Sequence, residues 1–347
     1  MIVTLILFLL ILGVVVLVHE FGHFLFAKLM GVHVYEFSIG MGPNLLQKAS
    51  KSGTKYSIRA IPLGGYVSLA GEEVEIDPEV QKGRNLQDKK VWQRFLIMFM
   101  GVGFNFIFAF LVLFFVGLIF GAQDLSPRVS EVTEGYPAAL AGLEANDKIL
   151  RINDHKVSYI DDISLYLTIE DLSEPITFEV EKTSGEVKQI EVQALKEEVD
   201  GSTRYSLGIT LVPKVERGFI ESIVYAFNKE MALFKQMFVV LGNLFTGNLA
   251  LSNLSGPVGI YSIVGQMQAQ GAQALLYLVA LLSINVGIMN ILPFPAFDGG
   301  RILFLFIEKI KGSPVNPKVE NIIHAIGFIL IIALMIYVTF NDILRLF

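Results

Sequence analysis

The chain has 347 residues, length for about two ordinary domains, yet 53% are hydrophobic and only 17% charged, where a typical soluble chain has about 25% charged. A mean hydropathy of +0.58 excludes an ordinary soluble pair of domains, and a formal charge of −6, from 27 basic and 33 acidic side chains, argues against nucleic acid as a partner. Cysteine is absent, which rules out disulfides, thiolate metal sites and cysteine nucleophiles.

Charge-free stretches mark out spans. Residues 1–18 carry no charge, and the apolar run reaches Ala27 with only His19, Glu20 and His23 inside it. Residues 95–122 and 272–297 are two more such runs, and 322–340 a fourth, broken only by His324. A bilayer-crossing helix needs about 20 mostly apolar residues. The pattern therefore predicts a polytopic α-helical membrane protein with four transmembrane helices. The first run lacks a basic leading region and a small-residue cleavage site, so it reads as a retained span rather than a secretory signal. The expected division is 1–30 (first span), 31–94 (cytoplasmic segment with a membrane-associated β element) and 95–122 (second span). Then come 123–200 (a folded α/β insert), 201–271 (a strand and an amphipathic helix on the outer surface), 272–311 (third span region) and 319–347 (fourth span).

Basic residues orient the spans. Residues 28–94 hold ten Lys/Arg against seven Asp/Glu, and residues 121–218 ten against nineteen. The segment 299–321 is basic again, with Arg301, Lys309, Lys311 and Lys318. The positive-inside rule puts 28–94 and the third-to-fourth connection in the cytoplasm, and the acidic insert and both termini outside. Trp92, just ahead of the second span, suits an interfacial anchor.

Within the insert, β-like runs at 128–132, 148–152, 176–181 and 187–192 alternate with turn residues and one helical stretch around 160–172. The run from Ala138 to Val157 resembles the core signature of PDZ domains. Asn146 and Asp154 occupy turns where that family usually has glycine, and both residue types tolerate left-handed backbone. Any small α/β module is the alternative. A PDZ domain would offer a strand edge and groove to an extended peptide, or serve as a size filter. Farther on, Ile223, Phe227, Met231, Phe234, Phe238, Leu241 and Phe245 recur every three or four residues. That single apolar stripe either lies on the outer membrane surface or packs on the insert. The run from Leu254 to Gly259, with its glycines and proline, breaks any helix.

The chemistry sits in the spans. His19-Glu20-Phe21-Gly22-His23 is an H-E-x-x-H motif; on a helix both imidazoles face one way and can share a metal, with the glutamate beside the attacking water. At about 1.5 Å per residue, His23 lies roughly 7–8 Å and His19 roughly 13–14 Å from Lys28 along the axis. With Lys28 at the cytoplasmic interface, these ionisable groups lie within the hydrocarbon, where such groups are costly and mark function. A catalytic zinc needs a third protein ligand and one open position. His33, His155 and His324 lie in other regions of the chain, which leaves Asp298, in Asn290-Ile-Leu-Pro-Phe-Pro-Ala-Phe-Asp-Gly-Gly-Arg301. Pro293 and Pro295 cannot continue a regular helix, and Gly299 and Gly300 permit tight backbone. Both the first and the third span run inward, so His23 and Asp298 reach the same depth.

Joined in this order and split by a PDZ-like insert, these motifs resemble the bacterial site-2 protease family, the regulator-of-sigma-E proteases. The resemblance covers essentially the whole chain, including Ile39-Gly-Met-Gly-Pro43, Leu63-Gly-Gly-Tyr-Val67 and Leu254-Ser-Gly-Pro-Val-Gly-Ile260. Phe297 stands where the family usually has leucine, and there is one PDZ-like domain where some members carry two. The resemblance implies one Zn2+ per chain held by His19, His23 and Asp298, with Glu20 as general base. It implies that Asn285 and Asn290 hydrogen-bond an extended substrate backbone, although interhelical hydrogen bonding explains them equally. The strand-like runs Tyr56–Ile61 and Gly64–Leu69, with Gly64, Gly65 and Tyr66, would form a β element that dips into the membrane and pairs with unwound substrate; a cytoplasmic hairpin is the plainer alternative. Residues 72–79 read as an acidic solvated linker. Implied partners are the lipid bilayer and single-span membrane proteins, either an anti-sigma factor already cut outside or remnant signal peptides, and the implied location is the bacterial cytoplasmic membrane. The rival reading is a metal-binding membrane scaffold or zinc transporter with a peptide-binding ectodomain.

Overall fold

The uncharged run that opens the chain forms α1 (Ile2–Leu29), apolar on every side, with Ile11, Val15, His19, His23 and Ala27 as its buried stripe at four-residue spacing. The structure, a computed structural model, describes residues 1–72, 77–199 and 202–345. After α1 come β1 (Val34–Ala49), β2 (Lys55–Leu69) and α2 (Val91–Phe120). Next are β3 (Ala122–Gln123), β4 (Glu131–Val132), α3 (Pro137–Leu140), β5 (Lys148–Ile152), β6 (His155–Lys156), α4 (Ile160–Ile169), β7 (Ile176–Glu181) and β8 (Val187–Val192). Then follow β9 (Leu195–Val199), β10 (Ser202–Ser206), β11 (Ile209–Thr210), β12 (Val215–Glu216) and α5 (Phe219–Thr246). The chain closes with α6 (Pro257–Gln270), α7 (Ala272–Ile291), α8 (Asp298–Lys311) and α9 (Pro317–Leu344). Among the described residues, four helices are long and apolar enough to cross a membrane: Ile2–Leu29, Val91–Phe120, Ala272–Ile291 and Lys318–Leu344. The fold is that of a polytopic membrane protein carrying β structure.

Two compact units divide the chain, one from Met1–Val112 with Leu251–Phe347, the other Leu113–Ala250. In the first, β1 and β2 are long, bent antiparallel partners. The first half of β1 pairs on one side with the end of β2 (Phe37↔Val67, Ser38↔Tyr66, Ile39↔Gly65) and on the other with its start (Phe37↔Tyr56, Ile39↔Ile58). The second half of β1 pairs with the start of β2 again (Leu46↔Ile58, Lys48↔Tyr56). This leaves the Gly65–Leu69 end of β2 as an outer edge, along α1. One apolar core joins Ala27, Val34, Val67, Leu69, Ile97 and Ile302; another joins Ile11 of α1, Val264 of α6 and Leu278 of α7.

The sequence missed α6. The chain does break after α5, with Gly247 in a left-handed C-cap, but Pro257 then takes the first turn of a new helix, where its missing N–H costs nothing. The carboxylate of Asp342, on α9, accepts the Gly259 N–H at 2.8 Å and holds this helix start. The acidic linker also needs correction at its ends, residues 73–76 lying outside the described ones. Glu72 accepts the Leu69 N–H and faces Arg301, and Asp77 accepts the Tyr35 hydroxyl, because each carboxylate finds a donor in the folded strands beside it.

The second unit centres on a four-stranded antiparallel sheet ordered β6-β5-β7-β8. β7 alternates buried and half-buried residues, the two-residue period of a sheet with one face on a core. The expected strand 128–132 is reduced to β4 and a lone bridge from Arg128 to Lys148. Left-handed backbone falls at Asn146 (φ 71°) and at Asn153 (φ 48°), one residue ahead of the expected Asp154. α5 binds its own unit through its polar face. Lys229 pairs with Asp161 and Lys235 with Asp162, each at 2.7 Å. Phe227, Phe238 and Phe245 of the apolar stripe stay exposed, so the stripe is not the face packed on the insert.

Candidate metal centre and catalytic cavity

His19 and His23 sit one helical turn apart on the buried stripe of α1, and their rings meet edge to face at 4.8 Å. Their Nε2 atoms are 3.2 Å apart, and each lies 3.1 Å from Oδ2 of Asp298. Asp298 opens α8, where the helix N-terminus favours a carboxylate. Between α7 and α8 the chain turns tightly: Phe297 donates its N–H to Phe294 O at 3.2 Å, with Pro295 and Ala296 at the corner. Ala296 has φ +89°, the geometry of a type II turn, whose third position ordinarily takes glycine; an alanine there costs about 1–2 kcal/mol. Gly299 and Gly300 fit beneath the last carbonyls of α7 and of the turn, where a Cβ would collide.

α2 orients the two imidazoles. His23 Nδ1 donates to Ile97 O at 2.8 Å, and His19 Nδ1 lies 3.4 Å from the side-chain amide of Asn105, itself fully buried. The approach is possible because Gly22 of α1 and Gly101 of α2 meet without side chains; a Cβ on Gly22 would strike Met100 O, and one on Gly101 would strike the His23 ring. With its Nδ1 proton given to Ile97, His23 presents a bare lone pair at Nε2. Asp298 Oδ2 is buried with no hydrogen-bond partner.

This donor set fits a divalent metal. In a tetrahedral site with bonds of about 2.0–2.1 Å, neighbouring ligand atoms are about 3.3 Å apart, close to the 3.1–3.2 Å spacings found. Two neutral imidazoles and a carboxylate are borderline-soft donors that suit zinc, and three protein ligands leave a position open. The cluster lines a cavity of about 280 Å3, with Glu20, Tyr66, Asn290 and Arg301 also in its wall. Asn285 is half-buried and outside that lining; five residues on a helix turn it about 140° from Asn290. Gly64 and Gly65 pack against Val16 and Leu17 of α1, which brings Tyr66 to the cavity. Asn105, Arg301 and Glu72 were not singled out as site residues in the sequence. Asn105 had a signal: it is a lone amide in an uncharged apolar run, the kind of residue that marks helix contacts in membranes.

An H-E-x-x-H helix whose imidazoles meet a carboxylate from a second helix is a metallopeptidase arrangement, here in a protein with membrane-spanning helices. The comparisons agree. The model of peptidase family M50 matches residues 7–334. The chain is 34% identical, over 99% of both chains, to the Staphylococcus aureus protein named "Putative zinc metalloprotease SAS1196". It is 32% identical, again over 99% of both, to "Probable protease eep" of Enterococcus faecalis, and 37% identical over 97% of both to "Putative zinc metalloprotease FN1322" of Fusobacterium nucleatum. The chain belongs to peptidase family M50, the site-2 protease family, and is a membrane zinc metalloprotease.

Proposed function

We propose that the protein is an intramembrane endopeptidase that hydrolyses peptide bonds within the transmembrane segments of other proteins. The observation that carries this is the convergence of His19, His23 and Asp298 on one point, beside Glu20, on a helix apolar enough to span a bilayer. One zinc per chain would be held by those three side chains. When bound, zinc polarises the scissile carbonyl and lowers the pKa of water at the site. Glu20 takes the proton from the attacking water and passes it to the leaving amine. Asn290 offers its amide to the substrate main chain in the same cavity. A helical substrate hides its peptide bonds in its own hydrogen bonds, so it must unwind. The Gly65–Leu69 edge of β2 gives the unwound segment a strand to pair with, while Asn285, outside the cavity and turned away from Asn290, is left to interhelical hydrogen bonding.

In this reading α1 and α7 run inward, the termini and the 123–200 insert face outward, and the site lies towards the cytoplasm of a bacterial inner membrane. The insert is PDZ-like and selects what reaches the spans. Substrates are single-span proteins, an anti-sigma factor after a first external cut or remnant signal peptides, processed in regulated intramembrane proteolysis. The exposed aromatic stripe of α5 rests on the outer leaflet.

The test is Glu20→Gln, purified in detergent and assayed on a membrane-spanning reporter. Cleavage should fall by three orders of magnitude or more while zinc stays near one per chain. Undiminished cleavage would refute the enzyme assignment, and loss of zinc would refute the role of Glu20.

A further inference from the structure

We propose that His324 is a positioning residue that locks the turn ahead of Asp298 and so aims that carboxylate at the two imidazoles. The inference rests on the reading of Asp298 as a metal ligand. The Ala296 N–H donates to His324 Nδ1 at 3.1 Å. The same peptide's other end, the Pro295 carbonyl, lies against Gly327, where a Cβ would overlap it. α9 therefore grips both ends of the one peptide that decides the turn type. Type I and type II turns differ by a flip of that central peptide, and only type II demands a positive φ at the third residue. Left alone, an alanine at that position relaxes to type I. The flip would turn both the Ala296 N–H and the Pro295 carbonyl away from α9, so the turn leading into Asp298 would lose its two anchors on that helix.

Packing holds His324, whose Nε2 is buried without a hydrogen-bond partner among the described residues. Its ring packs on Phe304 of α8 at 5.5 Å, and its Nε2 faces the Glu320 carboxylate at 4.0 Å. Accepting at Nδ1 requires the proton on Nε2, the side turned to Glu320. A residue that orients a ligand in this way shifts metal affinity by about 10–100-fold when lost.

The full chain, purified in detergent, is titrated with zinc against a competing chelator and assayed on the membrane-spanning reporter. His324→Leu should weaken zinc about tenfold and lower kcat with little change in KM. His324→Asn keeps an acceptor at the δ position and should remain within about threefold of the parent. Adding Ala296→Gly to His324→Leu should restore zinc binding, since glycine holds a type II turn unaided. Parent-like zinc affinity in His324→Leu, or no recovery in the double variant, overturns the proposal. Should the single variant not fold, a folded, zinc-binding double variant supports it and an equally impaired one refutes it. Asp298→Asn, run alongside, separates the two layers: if it leaves zinc unchanged, the ligand assignment itself has failed.

Discussion

Asn105 of α2 meets His19 of α1 across the helix contact, its amide 3.4 Å from the imidazole Nδ1. The same helix supplies the Ile97 carbonyl to His23, so the orientation of both rings depends on α2, which carries none of the proposed ligands. Asn105→Leu should lower zinc affinity about 10–100-fold. With Nε2 given to a metal, His19 carries its proton on Nδ1, and the side-chain amide meets it by turning its otherwise unpartnered Oδ1 inward. Asn105→Asp presents an oxygen in either orientation and should bind zinc close to the parent. Competition with a chromogenic chelator measures both, and an unaffected leucine variant would show that Asn105 does not orient His19.

The glycine contact between α1 and α2 leaves no room for a methyl group. Gly101→Ala drives a methyl into the His23 ring, and overpacking of this kind costs about 1–3 kcal/mol. A lower melting temperature in detergent and weaker zinc binding should appear together. Gly103→Ala is the comparison, because its added methyl meets the flexible Met100 side chain at 3.3 Å and should cost less.

Asp342 anchors α6. Replacing it with leucine removes the acceptor for the Gly259 N–H and should cost about 1–2 kcal/mol, as for other lost helix caps. Asp342→Asn keeps an acceptor and should cost less than half of that. Thermal unfolding of the two variants decides the matter, and equal losses would show that the cap contributes nothing.

Glu230, buried on α5, has its carboxyl pushed up from 4.5 to about 7 by burial. Between those values the unfolded chain has released the proton and the folded one has kept it. Stability therefore falls as pH rises from about 4.5 to about 7 and levels off above. Glu230→Gln should flatten that part of the profile, read as melting temperature from pH 4.5 to 8.5. A variant whose profile still tracks the parent's would assign the dependence to another group.

What the sequence made legible was whatever obeys a local period or a rigid motif. The four apolar runs became helices within a few residues of the expected limits, and β7 and β8 fall where alternation put them. What it hid depended on partners distant in the chain. The long β1 leaves no clear mark in the sequence, because its pairing with β2 is bent and shifts register repeatedly, which blurs the two-residue period. α6 escapes the sequence because Gly256 and Pro257 read as helix breakers, whereas they are the N-cap and first residue of a new helix, α5 having already ended at Gly247. The stripe on α5 had the right spacing but the opposite face did the packing, since Lys229 and Lys235 find Asp161 and Asp162 only in three dimensions. His324 carries no local signal of its role, because its hydrogen bond to residue 296 joins positions 28 apart.

Along Gly65–Leu69 the outer border of β2 is main chain. A strand border recognises amides and carbonyls, which every residue but proline offers alike, so side-chain identity gives it little to discriminate on. A protease that docks its targets there would be permissive towards amino-acid sequence. Its choices would then turn on how readily a helix melts and whether a bulky external domain has already been shed.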